Sequence, residues 1–329
     1  MTSLASSASL ATRLYKIRLV RRVDRWLHAM PHPSLVVEIA ADHVAAARWG
    51  SARGHLDALG VESLPAGAVM PSPIETNVTQ PDAVRSALRR VFSRVAHRGA
   101  PLALLVPDMV VRVFILSFDS LPRRSEEALP LLRWRLKKSV PFDVDETVIS
   151  WMRQSGRDQN LEVITAVARQ QIVREYEEVV RSVGGHAGVV MSSTLAAAPL
   201  LEDRGATLLV RLCSKTMTTV IVHGSNLCVY RSTEMPADAA LLDPQAMLDE
   251  VFPAVAYYQD TWGATIDRAR LAGFGEREDV FRSALAGELD VGVASIAEAE
   301  HARDLEGAAR DLLPHGLDSL VGWMMNAGS

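Results

Sequence analysis

Residues 104–152 read LLVPDMVVRVFILSFDSLPRRSEEALPLLRWRLKKSVPFDVDETVISWM, and the fold is legible from the punctuation inside them. An apolar strand ends at Pro107–Asp108, and VVRVFIL forms a second strand directly after that break. Leu121–Pro122 interrupts the chain again. Leu132, Leu136 and Val140 then mark a helix that must stop before Pro141, because the residue preceding a proline disfavours the helical region. Pro130 places the start of this helix near Leu129 rather than Ser125, since a proline lacks the N–H and its ring clashes with the preceding turn. TVISWM and LEVITAVA follow as paired strands around the polar turn QSGRDQN.

Working outward, LVVEIAA and HVAAARW predict a hairpin turning near Ala41–Asp42. Asp82–His97 predicts a helix with Val84, Leu88, Val91 and Val95 on one face and Pro81 just before it. Downstream, Ile172, Tyr176, Val179 and Val183 mark another helix, closed by Gly184–Gly185. The second half restarts the same grammar. ATLLVRLC and MTTVIVHG form a strand pair, with NLCVYRS as a third strand. Met247, Val251, Val255, Tyr258 and Trp262 trace a long helix, RLAGFG runs from a strand into a glycine turn, and Glu276–Ala286 is helical. A strand–turn–strand opening recurs in each half, about 170 residues apart, as after a gene duplication. Alternating strands and helices in both halves predict an α/β protein.

Composition narrows the function classes. The 329 residues are 48% apolar and 22% charged, enough apolar material for two domains or three. Thirty-five Lys and Arg against 39 Asp and Glu give a net charge of −4, so no global field draws nucleic acid. Cys213 and Cys228 cannot build a disulfide framework or a four-ligand zinc site, which predicts a reducing, cytoplasmic setting. No apolar run approaches the roughly 20 residues that span a bilayer, and no signal peptide is expected at the basic start. That start differs from the rest. Residues 10–30 carry Arg13, Lys16, Arg18, Arg21, Arg22 and Arg25 beside a stripe of Leu10, Leu14, Ile17, Val20, Val23 and Leu27. A basic amphipathic extension over 1–33 suits an anionic membrane surface, and equally a partner or a frayed start.

The motifs of common enzymes are missing: GxxxxGK[ST], GxSxG, HExxH, and GxGxxG after a strand. His28 and His32 share helical ligand spacing, but Pro31 lies between them and no carboxylate completes the set, so no metal site is expected. Asp143, Asp145 and Glu146 read as a solvated turn after Pro141.

The ordered landmarks Pro107–Asp108, Leu121–Pro122, Trp134, Pro141–Phe142 and the strand Val148–Trp151 resemble the type IV pilus assembly protein PilM family. The likeness continues through VITAVARQQIVREYEEVVRSVGGHAGVV, the helix at Leu248–Trp262, LAGFG and the C-terminal LDSLVGWMM, covering Ser34 to the C-terminus. The cytoplasmic domain of the type II secretion protein GspL is the next resemblance. What the resemblance implies is an actin-like, ribonuclease H-like fold of two α/β lobes around a nucleotide cleft. The first lobe spans 34–204 with a small α/β subdomain inserted at about 111–188, and the second spans 205–329 with a C-terminal helix. In such folds each lobe offers a hairpin to the phosphates, an aspartate holds Mg²⁺ through water, and a glycine turn lies against the adenosine.

The chain departs from that pattern. The first hairpin carries Glu38-Ile39-Ala40, followed by Asp42, where the family has an Asp-Ile-Gly type of motif. The second places Arg211 where the aspartate is expected and Cys213 near the glycine, before Lys215 and Thr216. Arg211 cannot ligate Mg²⁺; it either meets a phosphate or pairs with Glu38 across an empty cleft. Gly273 and Gly275 retain the third element. The expectation is therefore a degenerate cleft and not an enzyme, with hydrolysis lost and weak binding of ATP and magnesium left open. An actin-superfamily kinase would need the missing aspartate and glycines.

By resemblance the function is that of a cytoplasmic scaffold, peripheral to the inner membrane, in a type IV pilus assembly platform. Its partners would be the N-terminal tail of a PilN-like bitopic protein and other platform proteins, and it could close into a homo-oligomeric ring. A GspL-like secretion adaptor is the alternative, although that family normally continues into a transmembrane helix. The tail groove would lie by the inserted subdomain, with Val111, Val113, Phe114, Trp134, Arg135 and Lys138 as its candidates. Trp134 is equally readable as core, and Arg135 and Lys138 as a solvated helix face.

Overall fold

The computed structural model describes residues 32–50, 55–95, 99, 101–156, 161–303, 305 and 307–326. The predicted basic extension, including 10–30, lies outside them apart from His32 and Pro33.

Three sheets organise the chain. The first has the order β3-β2-β1-β4-β8, formed by β1 (Leu35–Ile39), β2 (His43–Trp49), β3 (Leu56–Ser63), β4 (Pro101–Val106) and β8 (His186–Ser192). The second has the order β11-β10-β9-β12-β13, formed by β9 (Ala206–Cys213), β10 (Thr216–His223), β11 (Asn226–Glu234), β12 (Arg268–Ala272) and β13 (Gly292–Ser295). In both, three antiparallel strands continue into two parallel ones with the same relative order and direction. The recurrence read from the sequence is thus a repeated sheet topology, to which β3 and β13, unread in the sequence, add an edge on each side.

Side-chain alternation decides what faces what. In β1, Leu35, Val37 and Ile39 join one core with α1 (Pro81–Arg94) and α3 (Gln170–Arg181), while Val36 turns to the opposite face. In β9, Leu208, Val210 and Leu212 pack beneath α5 (Pro244–Trp262) and α6 (Glu278–Leu289), while Leu209 faces away. The two inward faces share one core with α4 (Ser193–Ala197) and α7 (Asp318–Asn326). A period of two therefore aims Glu38 and Arg211, one residue from β1 and one from β9, at the space between the lobes. Both are almost completely buried.

The third sheet, β5-β7-β6, comprises β5 (Arg112–Phe118), β6 (Thr147–Ser155) and β7 (Leu161–Arg169). Its outer face packs Val163 and Val167 against Ala128, Leu132 and Leu136 of α2 (Ser125–Leu136), and its inner face sends Met152 and Ile164 into the shared core. The insertion drawn on the sequence at 111–188 is narrower by packing. It ends at Arg169, because Ile172, Tyr176, Val179 and Val180 of α3 bury in the first lobe's core. Likewise the C-terminal helix assigned to the second lobe crosses back. Trp323 is fully buried and its Nε1 donates to the Pro33 carbonyl at 3.1 Å.

Helix α2 corrects a further expectation. It starts at Ser125, with Pro130 inside it, not near Leu129. The missing proline N–H would have bonded the carbonyl four residues back, on exposed Glu126 in the first turn, where water can satisfy it. Among the described residues no helix is long and apolar enough to cross a membrane.

Candidate functional site

Between the lobes lies a buried charge cluster in place of an open cleft. Arg211 Nε donates to Asp318 Oδ2 at 2.8 Å, and its terminal nitrogens lie 3.6 Å from Glu38 Oε1 and 3.8 Å from Asp108 Oδ2. Arg211 thus stands within ion-pair range of Glu38, one of the two partners offered by the sequence. Burial works against the guanidinium's charge, but Asp318, Glu38 and Asp108 outweigh it and hold the group protonated. Asp108, set just after β4 by Pro107, joins both lobes. It accepts from Thr194 N and Oγ1 in the first lobe, and from Thr218 Oγ1 and the Tyr230 hydroxyl in the second, at 2.5–3.0 Å. Ser319 donates to Glu38 Oε2 at 2.6 Å, which fastens α7 to β1.

His43 completes the cluster at its edge. Its Nδ1 bonds Asp42 at 2.8 Å and its Nε2 lies 3.9 Å from Glu38. Burial pulls the imidazole pKa down, but the two carboxylates outweigh it and raise it to about 10. Burial similarly pushes the Glu38 carboxyl up, yet His43 and Arg211 bring it to about 2. The signs fix a pH window. Stability from His43 is complete below the unfolded imidazole value of about 6.5 and fades as pH rises toward 10. That from Glu38 is complete above about 4.5 and fades as pH falls toward 2. The stability difference between wild type and His43→Gln in urea unfolding is therefore expected to be greatest near pH 5–6 and to shrink steadily from pH 7 to 10.

The sequence-predicted nucleotide residues are not gathered into one site. Ala40 and Thr216 line a gap with Asp108, Ser193, Arg211 and Cys213, but it holds about 10 Å³, room for one water at most. Asp42 is exposed and turned to His43, and Lys215 is exposed on the β9–β10 turn. Gly273 and Gly275 line a separate cavity of about 550 Å³ with Glu276, Glu278, Asp279, Ser295 and His315. Its carboxylates oppose an anionic ligand. Gly273 has a structural demand of its own: φ is +81°, and a Cβ there would sit 1.8 Å from the Leu212 carbonyl oxygen.

A third cavity, of about 700 Å³, is a groove between the insertion and the second lobe. Val111, Val113, Phe114 and Lys138, all named from the sequence, line it with Arg112, Ser139, Val140 and Pro141. Tyr230, Arg231 and Ser232 form the opposite wall. Trp134 and Arg135 are exposed and lie outside this lining. β5 is an edge strand of its sheet and β11 an edge strand of the second, so the groove runs between two strand edges.

Sequence reasoning missed Asp318, Thr194, Thr218 and Tyr230, and treated Asp108 only as a landmark. The available signal was a carboxylate directly after an apolar strand, and another opening an apolar helix at LDSLVGWMM.

No family model and no curated protein matches the sequence. Among solved structures the chain is similar to the PilM–PilN type IV pilus biogenesis complex, at 17% identity and a TM-score of 0.73, covering 91% of this chain and 100% of that one. More remote are a Bacteroides thetaiotaomicron protein with an actin-like ATPase fold (9%, TM-score 0.46, covering 85% and 96%) and the cytoplasmic domain of EpsL, an inner-membrane component of the Vibrio cholerae type II secretion system (10%, TM-score 0.44, covering 72% and 80%). At such identities the likeness is one of fold: two actin-like α/β lobes with a small inserted subdomain.

Proposed function

We propose that this chain is an actin-like scaffold of a type IV pilus assembly platform that holds the cytoplasmic tail of a PilN-like membrane protein. The carrying observation is the 700 Å³ groove beside the inserted subdomain, on a fold shared with a chain of the PilM–PilN type IV pilus biogenesis complex. An extended tail can add to a free strand edge through its backbone, while Val111, Val113 and Phe114 receive its apolar side chains. The scaffold would work in the cytoplasm at the inner-membrane face. Anionic-lipid adhesion by residues 10–30 and assembly into a ring belong to the same reading on sequence alone.

Substituting Ser139 tests the groove. Ser139→Trp sets a bulky ring in the lining from an exposed turn. It is expected to weaken binding of a labelled tail peptide by about tenfold or more, with Tm unchanged. Equal affinity in fluorescence anisotropy would remove the groove from the reading.

Nucleotide hydrolysis is lost in this proposal, because Arg211 and its carboxylates fill the space where phosphates and Mg²⁺ would sit. Mg-ATP is expected to leave Tm unchanged and to release no phosphate. Micromolar, Mg²⁺-dependent binding of radiolabelled ATP would show that the cleft opens.

A further inference from the structure

We infer that the outer face of α2 is a docking surface for an anionic lipid bilayer. The inference goes beyond the groove and concerns a face the tail does not occupy. Trp134 is 73% exposed and Leu131 43%, large apolar side chains on the outermost layer of the insertion. Glu127, Leu131, Trp134 and Lys138 follow the spacing that places residues on one side of a helix, while Leu132 and Leu136 point inward to the sheet. Exposed cations surround the apolar pair: Arg123 and Arg124 before the helix, Arg135 within it, and Lys137 and Lys138 at its end. Against these five stand Glu126 and Glu127, with Arg124 3.9 Å from Glu127, and the exposed Asp143, Asp145 and Glu146 of the turn packed against the helix, Glu146 lying 3.8 Å from Arg169. Among the described residues Arg123, Arg135, Lys137 and Lys138 have no ion-pair partner.

This combination fits a membrane interface better than an acidic protein surface. An indole prefers the headgroup level, where its apolar body is buried and its N–H stays wet, and long cationic side chains reach the phosphates around it. Each cation near an anionic leaflet adds attraction that falls off within a Debye length, so the cations without an ion-pair partner give reversible adhesion. Position supports the same occupant, in a step that rests on the proposed function. Lys138 stands on this face and also lines the groove. A tail that reaches the groove from a single-spanning protein keeps this side of the insertion close to the bilayer.

The test uses the full chain carrying Leu131→Cys with an environment-sensitive fluorophore, and labelled wild type as the background for Cys213 and Cys228. Phosphatidylglycerol–phosphatidylethanolamine vesicles should blue-shift and brighten the probe, and phosphatidylcholine vesicles should not. Arg135→Glu with Lys137→Glu, neither of which lines the groove, should lower the probe-reported partition by about thirtyfold. No shift while the protein still floats with anionic vesicles would overturn the inference, leaving adhesion to residues 10–30. So would a shift unaffected by charge reversal, or one seen with a soluble platform protein and not with vesicles. Tail-peptide affinity, measured separately without lipid, reports on the groove, so the probe shift and the peptide reading can fail independently.

Discussion

Replacing Arg211 by methionine is expected to cost about 3–5 kcal/mol of unfolding free energy at pH 7, because it leaves buried carboxylates without their counterion. Glu38, Asp108 and Asp318 all approach this one guanidinium, and each is at most 3% exposed. Methionine fills much of the same volume, so the loss reports charge rather than a cavity. Arg211→Lys should fall between, since an ammonium keeps the charge but cannot present a planar fork to carboxylates on different elements. The pH dependence carries the sign. In the variant the unpaired carboxyls take folded pKa values above their unfolded ones, so their burden is lifted below about pH 4 and grows as pH rises. Wild-type Glu38 behaves oppositely, held down to about 2. The gap between the two proteins in urea unfolding should therefore narrow from pH 7 to pH 5. A loss below about 1 kcal/mol at pH 7 would mean that Arg211 reaches solvent and that the lobes part there.

This cluster also gives the lobes a fixed relationship. In a nucleotide-driven machine the ligand supplies the contacts that join the two halves. Here the chain supplies them itself, through Arg211 to Glu38, through Asp108 to Thr218 and Tyr230, and through Gln154, whose amide exchanges two hydrogen bonds with the Leu227 backbone at 2.7 and 3.0 Å. Tyr230 and Ser232 line the groove and also belong to this network, Ser232 through Thr218 at 3.0 Å. The groove wall is thus held by buried polar contacts and is set before any partner arrives. Preorganisation of that kind raises affinity by reducing the ordering cost of binding.

How far the sequence reached follows from the range of each interaction. Strand alternation in LVVEI and ATLLVRLC is local and agrees with the inward aim of Glu38 and Arg211, but their option to pair came from the family likeness, which matched the two hairpins. The groove candidates Val111, Val113 and Phe114 came from the family likeness, which put the tail groove beside the strand that the local pattern predicts. Asp318 could not be placed that way. It lies 107 residues from Arg211, and only the return of α7 to the first lobe brings them together. Trp134 fits a core or a surface by periodicity alone; the sheet beneath α2 decides it, since Leu132 and Leu136 occupy the inner side. Pro130 misled for a related reason, because a helix tolerates proline where the freed carbonyl is wet, and exposure is a property of the whole fold.

Gly273→Ala is the other substitution with a large expected effect, and it separates two reasons for a glycine. If Gly273 is present to let a ligand approach the backbone, alanine should weaken binding and leave stability nearly intact. The geometry assigns the pressure to the protein instead. The residue sits at φ +81°, where a Cβ is strained, and that Cβ would meet the Leu212 carbonyl oxygen at 1.8 Å, deep inside contact distance. The obstacle is backbone of β9, which carries Arg211 and cannot swing aside as a side chain could. A loss of about 2–4 kcal/mol is expected without any ligand present, combining strain at an unfavourable φ with displacement of a packed strand. Gly275 is the control. It also has a positive φ, +55°, but a Cβ there would meet nothing within 4 Å, so Gly275→Ala should cost only about 1 kcal/mol. Near-equal losses at the two positions would show that β9 yields to the added methyl. In that case the turn would be free to move, and the 550 Å³ cavity it lines would regain standing as a ligand site.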